Sequence, residues 1–180
     1  MIFEELSIKG CFLIQINVPM DERGYFSRLV DVEEFKENGL NAGFVQISAS
    51  KNYKKGTLRG MHKQIGDSTE DKLVCCVEGE VFDVCLDLRK DSPTYLKYCS
   101  AILSAENGQA LYIPKGCAHG FISQKDNSQL IYFMTEMYSL ANERGYRWND
   151  PAFAIQWPME PTVISPKDSN WPLIGSGEHS

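Results

Sequence analysis

The chain has no run of basic residues, no apolar stretch long enough to span a membrane, and only three histidines in 180 residues. With 18 Lys and Arg against 24 Asp and Glu, its formal net charge is −6. That balance argues against a nucleic-acid binder, because affinity for a polyanion needs clustered positive charge. It leaves room for a phosphorylated small molecule held by a few converging arginines. The opening segment "MIFEELSIKGCFLIQINVP" has two early acids and an unbroken apolar run only from Cys11 to Ile14. It reads as neither a signal peptide nor a membrane span. None of the six cysteines (11, 75, 76, 85, 99 and 117) forms a CxxC pair, and the adjacent Cys75 and Cys76 point to opposite faces of a strand. They read as small buried hydrophobes in a reducing compartment, so a cytoplasmic protein is expected. No HxH or HxxxH pair occurs, and Gln64 stands two positions after His62. A β-sandwich metal site draws on such pairs, so no metal is expected.

What is present is ordinary globular composition, 43% hydrophobic and 23% charged. One domain over residues 1–174 is expected, long enough to bury a sizeable core. The terminal "GSGEHS", residues 175–180, reads as a flexible tail with His179 idle. No internal repeat or low-complexity linker interrupts the chain. "DVEEFKENGL" predicts a short helix, with Asp31 as N-cap, Glu34 at the capping-box position, Val32 and Phe35 as an apolar pair, and Gly39 as the stop.

The remainder reads as β. "FVQISASKN", "TLRGMHKQ", "KLVCCV", "VFDVCLDLR", "KYCSAILSA", "QALYIP", "GFISQ" and "LIYFMTEMY" are short runs rich in β-branched and aromatic residues, separated by turn clusters such as "EGE", "KDSPT" and "QKDNS". In "VFDVCLDLR", Phe82, Val84, Leu86 and Leu88 face one way, with Asp83, Cys85, Asp87 and Arg89 opposite. Many short strands at near-even spacing predict a mainly β fold, an antiparallel sandwich of jelly-roll type with a few short helices.

Two histidines remain for chemistry, His62 and His119, each of which can also be a core histidine with one hydrogen bond. Without a metal, His62 is free to act as a proton-transfer base. Lys72 opens "KLVCCV" and can face developing anionic oxygen or simply be a solvated strand end. Tyr132 and Tyr138 share parity, so both project from one face if their strand runs unbroken. Asp168 can orient a base or close a turn. Strict alternation sets Arg59 and His62 on opposite faces of "TLRGMHKQ"; Gly60 between them predicts a bulge or twist that re-aims one of the two.

Taken in order, "DERGYF" (21–26), "FVQIS" (44–48), "TLRGMHKQ", "KLV" (72–74), "GEVFDVCLDLRKDSPT" (79–94), "LSAEN" (103–107), "IPKGCAHGF" (113–121), "LIY" (130–132), "ERGYRWNDPAFAIQWP" (143–158) and "SPKD" (165–168) resemble the dTDP-4-dehydrorhamnose 3,5-epimerase family. The resemblance implies a cupin-type jelly roll, a homodimer, and a nucleotide-diphosphate 4-keto-6-deoxysugar as substrate, with no cofactor. It implies His62 as the proton-abstracting base, Asp168 as its paired carboxylate, Lys72 as the cation beside the C4 oxygen and Tyr132 as the acid across the ring. It places Tyr138 in the sugar pocket, and Arg23, Arg59, His119, Glu143 and Lys167 among the substrate contacts. The "FVQIS" and "GYFSR" elements put Gln46, Ser48 and Arg28 among the substrate-binding positions.

Three positions depart from the family pattern. Arg28 stands where a glutamate is common, Ser48 where an asparagine is frequent, and Lys63 where an aromatic follows the histidine. They bear on the nucleotide (dTDP, CDP or GDP) and on inversion at C3, C5 or both, whereas the proton-transfer set is complete. A sugar-nucleotide 3,4-ketoisomerase of the same superfamily and a non-catalytic sugar-nucleotide binding cupin are the alternatives.

Overall fold

The structure, a computed structural model, describes residues 1–175. In chain order its first elements are β1 (Ile2–Glu5), β2 (Phe12–Gln15), β3 (Met20–Asp21), β4 (Gly24–Tyr25) and α1 (Val32–Glu37). There follow β5 (Gln46–Asn52), β6 (Thr57–Gln64), a 3-10 turn at Gly66–Ser68, β7 (Lys72–Glu78), β8 (Glu80–Asp87) and β9 (Tyr98–Ser104). The chain continues through β10 (Gln109–Ile113), β11 (Cys117–Ser123), β12 (Ser128–Met134), β13 (Glu143–Gly145), β14 (Val163–Ile164) and α2 (Pro166–Ser169). The tail expected over 175–180 lies, beyond Gly175, outside the described residues. No helix among them is long and apolar enough to cross a membrane.

Two sheets carry the fold. One has the order β1-β2-β10-β7-β12-β5 and the other β13-β6-β11-β8-β9, with β14 added parallel to β6. All other pairings are antiparallel, as the jelly-roll reading requires. Between the sheets lies an apolar core to which the first contributes Val74, Leu111 and Leu130 and the second Val81, Leu103 and Phe121. The outer face of the second sheet is covered by Tyr146 and Phe153 of the C-terminal segment.

The alternation in β8 separates its faces as expected, but neither faces water. Val84, Leu86 and Leu88 pack outward under the C-terminal segment, while Val81 and Cys85 point between the sheets. Asp83 and Asp87 are fully buried with them. The sequence therefore marks as polar a face that is the interior, because β8 is flanked by β9 and β11 and layered on both sides.

Asp31 caps α1 by accepting from the Glu33 and Glu34 amides, and Gly39 ends it at φ +71°. Two details differ from expectation. The Glu34 carboxylate takes the N-terminal ammonium of Met1 as its partner. Val32 is 59% exposed, because so short a helix offers the sheet only Phe35. Phe35 is fully buried against Phe3, Phe44 and Tyr112, with ring centroids at 5.4, 6.2 and 6.2 Å. Burial of such a ring is worth about 1.5–3 kcal/mol.

Candidate active site

The site begins with the backbone of β6. His62 pairs with His119 of β11 and Arg59 pairs with Phe121, so three steps on β6 match two on β11. One extra residue is accommodated at Gly60, a bulge. Paired residues share a face, and His119 and Phe121 are two apart on their strand, so Arg59 and His62 emerge on the same side. A flat strand separates them; the bulge brings them together, as the glycine predicted. Gly60 has φ +129°, and a Cβ there would lie 2.5 Å from Gly120 Cα. No other residue fits that position. The Gly60–Met61 peptide is cis.

His62 Nε2 meets Asp168 Oδ1 at 2.6 Å. Asp168 is delivered by α2, whose N-cap Ser165 accepts from the Asp168 amide at 3.0 Å. The carboxylate also accepts from Trp171 Nε1–H at 3.3 Å and the Gly60 amide at 3.5 Å. Burial pushes this carboxyl up, but His62, Trp171 and Gly60 outweigh burial and hold it below the usual carboxylate range. An ionised, fixed carboxylate sets the imidazole's orientation.

Trp171 in turn depends on Gly145, which pairs with His62 across β13. A Cβ at Gly145 would fall 1.8 Å from Trp171 Cε2, inside the indole. Gly145→Ala therefore displaces the tryptophan and slackens the dyad behind His62. The expected result is a loss of about 10²-fold in turnover, typical of a misplaced reacting group, with destabilisation of about 1–3 kcal/mol. Steady-state kinetics and thermal melting check it.

His62 opens on a cavity of about 220 Å³ lined also by Gln46, Ser48, Lys63, Gln64, Glu70, Lys72, Tyr132, Met134, Tyr138 and Glu143. Lys72, at the start of β7, pairs with Glu70 at 3.1 Å. Tyr132, on β12 of the facing sheet, bonds Ser50 Oγ at 3.1 Å. Burial raises the Tyr132 phenol well above its ordinary value, the Ser50 bond opposing, so it stays protonated across the physiological range. Its ring meets His119 edge-on at 5.9 Å. His119 is buried, with Nε2 at 2.8 Å from Asp83 Oδ1. Asp83 is itself raised by burial, with His119 and Lys72 lowering it, and its Oδ2 has no hydrogen-bond partner among the described residues.

At the rim, Glu143 accepts from Tyr138 Oη at 2.9 Å and Lys167 Nζ at 2.6 Å. Burial raises the Glu143 carboxyl, and these two partners overcome it to leave it lowered. Gln46 accepts the Tyr138 amide at 2.9 Å. Tyr138 does face the cavity, but not by strand parity: β12 stops at Met134 and a loop carries Tyr138 to the rim. Lys63 reaches the Gly116 carbonyl at 3.4 Å and lies over the Tyr146 ring.

Three arginines lie differently. Arg59 is exposed, with Nε bonded to Asn52 Oδ1 at 2.8 Å. Arg23 and Arg28 stand outside the cavity. Arg23 sits on the β3–β4 hairpin against Asp21, and Arg28 pairs with Asp31 at 2.6 Å ahead of α1. The residue reading missed Glu70, Ser50, Asn52 and Trp171. A signal for Glu70 was available, since it lies two residues before Lys72 and so shares its side of an extended segment.

A family model described as dTDP-4-dehydrorhamnose 3,5-epimerase matches residues 5–176. A dTDP-4-dehydrorhamnose 3,5-epimerase of Sinorhizobium fredii is 43% identical over 175 residues, covering 97% of this chain and 90% of that protein. The crystal structure of the enzyme of that name from Elizabethkingia anophelis superposes with a TM-score of 0.91 at 38% identity, covering 98% of each chain. A dTDP-6-deoxy-D-glucose-3,5-epimerase from Legionella pneumophila, in complex with dTDP-4-keto-L-rhamnose, superposes with a TM-score of 0.91 at 36% identity over 97% of this chain and 93% of that one. A bulged strand that sets a histidine–aspartate pair on a jelly-roll cavity, found in a chain this similar over nearly its whole length, identifies the protein as a member of the dTDP-4-dehydrorhamnose 3,5-epimerase family.

Proposed function

We propose that the protein inverts the carbons flanking the ketone of a dTDP-4-keto-6-deoxyhexose, turning dTDP-4-dehydro-6-deoxyglucose into dTDP-4-dehydrorhamnose. The observation that carries this reading is the His62–Asp168 pair opening on a cavity that Tyr132 and Lys72 also line. A ketone at C4 acidifies the hydrogens at C3 and C5, since loss of either proton gives an enolate. His62 removes the proton as a neutral base, and Asp168 stabilises the imidazolium that forms. Positioned acid–base groups of this kind contribute about 10²–10⁴-fold. Lys72, aimed at the enolate oxygen, adds about 3 kcal/mol of electrostatic stabilisation in the transition state. Tyr132, kept protonated by burial, returns a proton on the opposite face.

In the same reading, Gln46, Ser48, Tyr138, Glu143 and Lys167 hold the sugar and nucleotide at the rim, His119 backs the sugar, and Arg59 meets the diphosphate. The protein works as a single jelly-roll unit over residues 1–174, as a homodimer in the cytoplasm, without a cofactor. The β3–β4 arm exposes Met20, Tyr25 and Phe26 and carries Arg23 away from its own cavity, which suits a surface covered by a second copy.

Incubation with dTDP-4-dehydro-6-deoxyglucose in deuterium oxide tests the reading. Label entering at C3 and C5 with inversion is expected. Migration of the ketone would instead mark a 3,4-ketoisomerase, and tight binding without exchange would mark a non-catalytic binding protein. Tyr132→Phe is expected to keep exchange, because His62 can remove and return a proton on one face, while inversion falls by about 10²-fold.

A further inference from the structure

Away from the His62 cavity, three cysteines converge on one point. Cys11 precedes β2, Cys85 lies on β8 and Cys99 lies directly opposite Cys85 on β9. Their sulfurs all lie within 4.8 Å of one another, and Cys11 and Cys99 are 3.5 Å apart, sulfur to sulfur. Metal–sulfur bonds of about 2.3 Å set neighbouring sulfurs about 3.8–4.0 Å apart in tetrahedral or trigonal thiolate sites. The 3.5 Å separation and the 4.8 Å bound are compatible with that value.

Three separate segments each bring a sulfur to this one point. Around them the inner cluster is mostly apolar, with Ile8, Leu103, Leu111 and Phe121, and its only other ligand-bearing buried members among the described residues are the thiols of Cys76 and Cys117. Cys117 adjoins Cys85 and donates weakly towards Asp87 at 3.9 Å, so a fourth sulfur stands beside the three. Cys99 keeps 9% of its surface exposed and sits on the edge strand of its sheet, which gives an ion a way in.

The structure assigns Cys11, Cys85 and Cys99 as a thiolate site for a soft divalent cation of the zinc and cadmium class. Thiolate sulfur selects soft ions over calcium or magnesium. Burial selects charge: three thiolates leave one net negative charge on a divalent ion but two on a monovalent one, and an uncompensated charge is costly in an apolar interior. Binding releases the thiol protons to solvent and forms three metal–sulfur bonds, with no change of oxidation state. The ion would tie the segment leading into β2, in the first sheet, to β8 and β9 of the second. Its role is structural, and it takes no part in the proton transfers proposed for His62.

The test uses the full chain, reduced with a phosphine and stripped with a chelator. Titration with Cd(II) should give a sulfur-to-cadmium charge-transfer band that saturates at one equivalent and is displaced by Zn(II). The melting temperature should rise by about 5–10 °C at a hundredfold excess of ion over Kd. Cys99→Ala and Cys11→Ala should each lose the band and weaken binding by about 10²-fold or more, since even residues behind a ligand cost up to that much. Cys75→Ala should bind as the wild type does, because Cys75 packs on the other face of the first sheet with Phe35 and Tyr112. The two ligand variants guard against one of them failing to fold, and the wild-type titration stands without either. A wild-type chain with no band at one equivalent, or a band that survives in both ligand variants, overturns the site.

Discussion

Replacing His62 with alanine is expected to abolish deuterium exchange at C3 and C5 and to lower kcat by about 10²–10⁴-fold, with dTDP affinity nearly unchanged. The size of the loss follows from what surrounds the histidine. Asp168, its nearest neighbour, is a poor substitute base: His62, Trp171 and Gly60 overcome burial to keep its carboxyl low, and it lies behind the imidazole rather than in the cavity. Glu143 lines the cavity but is bound to both Lys167 and Tyr138, which keep its carboxyl low against burial. Neither carboxylate stands ready to take a proton of low acidity. Arg59 Nε is engaged by Asn52 on β5, and no hydrogen bond joins Arg59 to the imidazole among the described residues, so a diphosphate contact there survives the substitution. Equilibrium binding of dTDP, beside exchange followed by proton NMR, checks both halves. Exchange by the variant at close to the wild-type rate removes His62 from the role of base.

Local β chemistry was legible in the sequence because it depends on neighbours two residues apart. "TLRGMHKQ" coincides with β6, and "QALYIP" and "KLVCCV" each fall within a residue of β10 and β7. Gly60 was legible for a related reason: a glycine inside a strand pattern marks a place where backbone must approach backbone, here Gly120. The lesson fails where tertiary neighbours decide. β11 begins at Cys117, so His119 is a strand residue, although "IPKG" before it reads as a turn and the apolar run starts only at Gly120. β1 and β2 went unread because Ile2–Glu5 is mostly exposed and gains its pairing only from β2 beside β10. Tyr138 reaches the cavity through a loop, so strand parity, which needs an unbroken strand, does not describe how it gets there. The convergence of three sulfurs from positions 11, 85 and 99 has no counterpart in sequence spacing; it exists only once β8 and β9 are paired under the N-terminal segment.

Asp87→Asn is expected to destabilise the protein by about 3–5 kcal/mol, the usual cost of breaking a buried ion pair, and so to lower the melting temperature by about 10 °C. Asp87 ends β8 with its side chain wholly buried. Oδ1 accepts from the Arg89 amide at 3.0 Å and from Arg89 Nε at 2.8 Å. Oδ2 accepts from Arg89 Nη2 at 2.8 Å, Ser92 Oγ at 2.5 Å and Thr94 Oγ1 at 2.6 Å. An amide of the same shape must present an N–H₂ group to one of these two sets of donors, and it leaves the guanidinium without its counter-charge. The pH dependence distinguishes a lost charge from a lost shape. Burial raises the Asp87 carboxyl, but Arg89, Ser92 and Thr94 overcome it and hold the group well below its ordinary value. The folded state thus binds this proton less tightly than the unfolded chain, where the carboxyl titrates near about 3.9. The stabilisation is fully present above that value and drains away as pH falls towards the depressed folded value. Wild type and variant should therefore differ most above about pH 5, and the gap should narrow steadily as pH falls below about 3.9 and close only near the depressed folded value; a gap that stays constant as pH falls through that range would mean the carboxylate's charge contributes nothing to holding β8 in place.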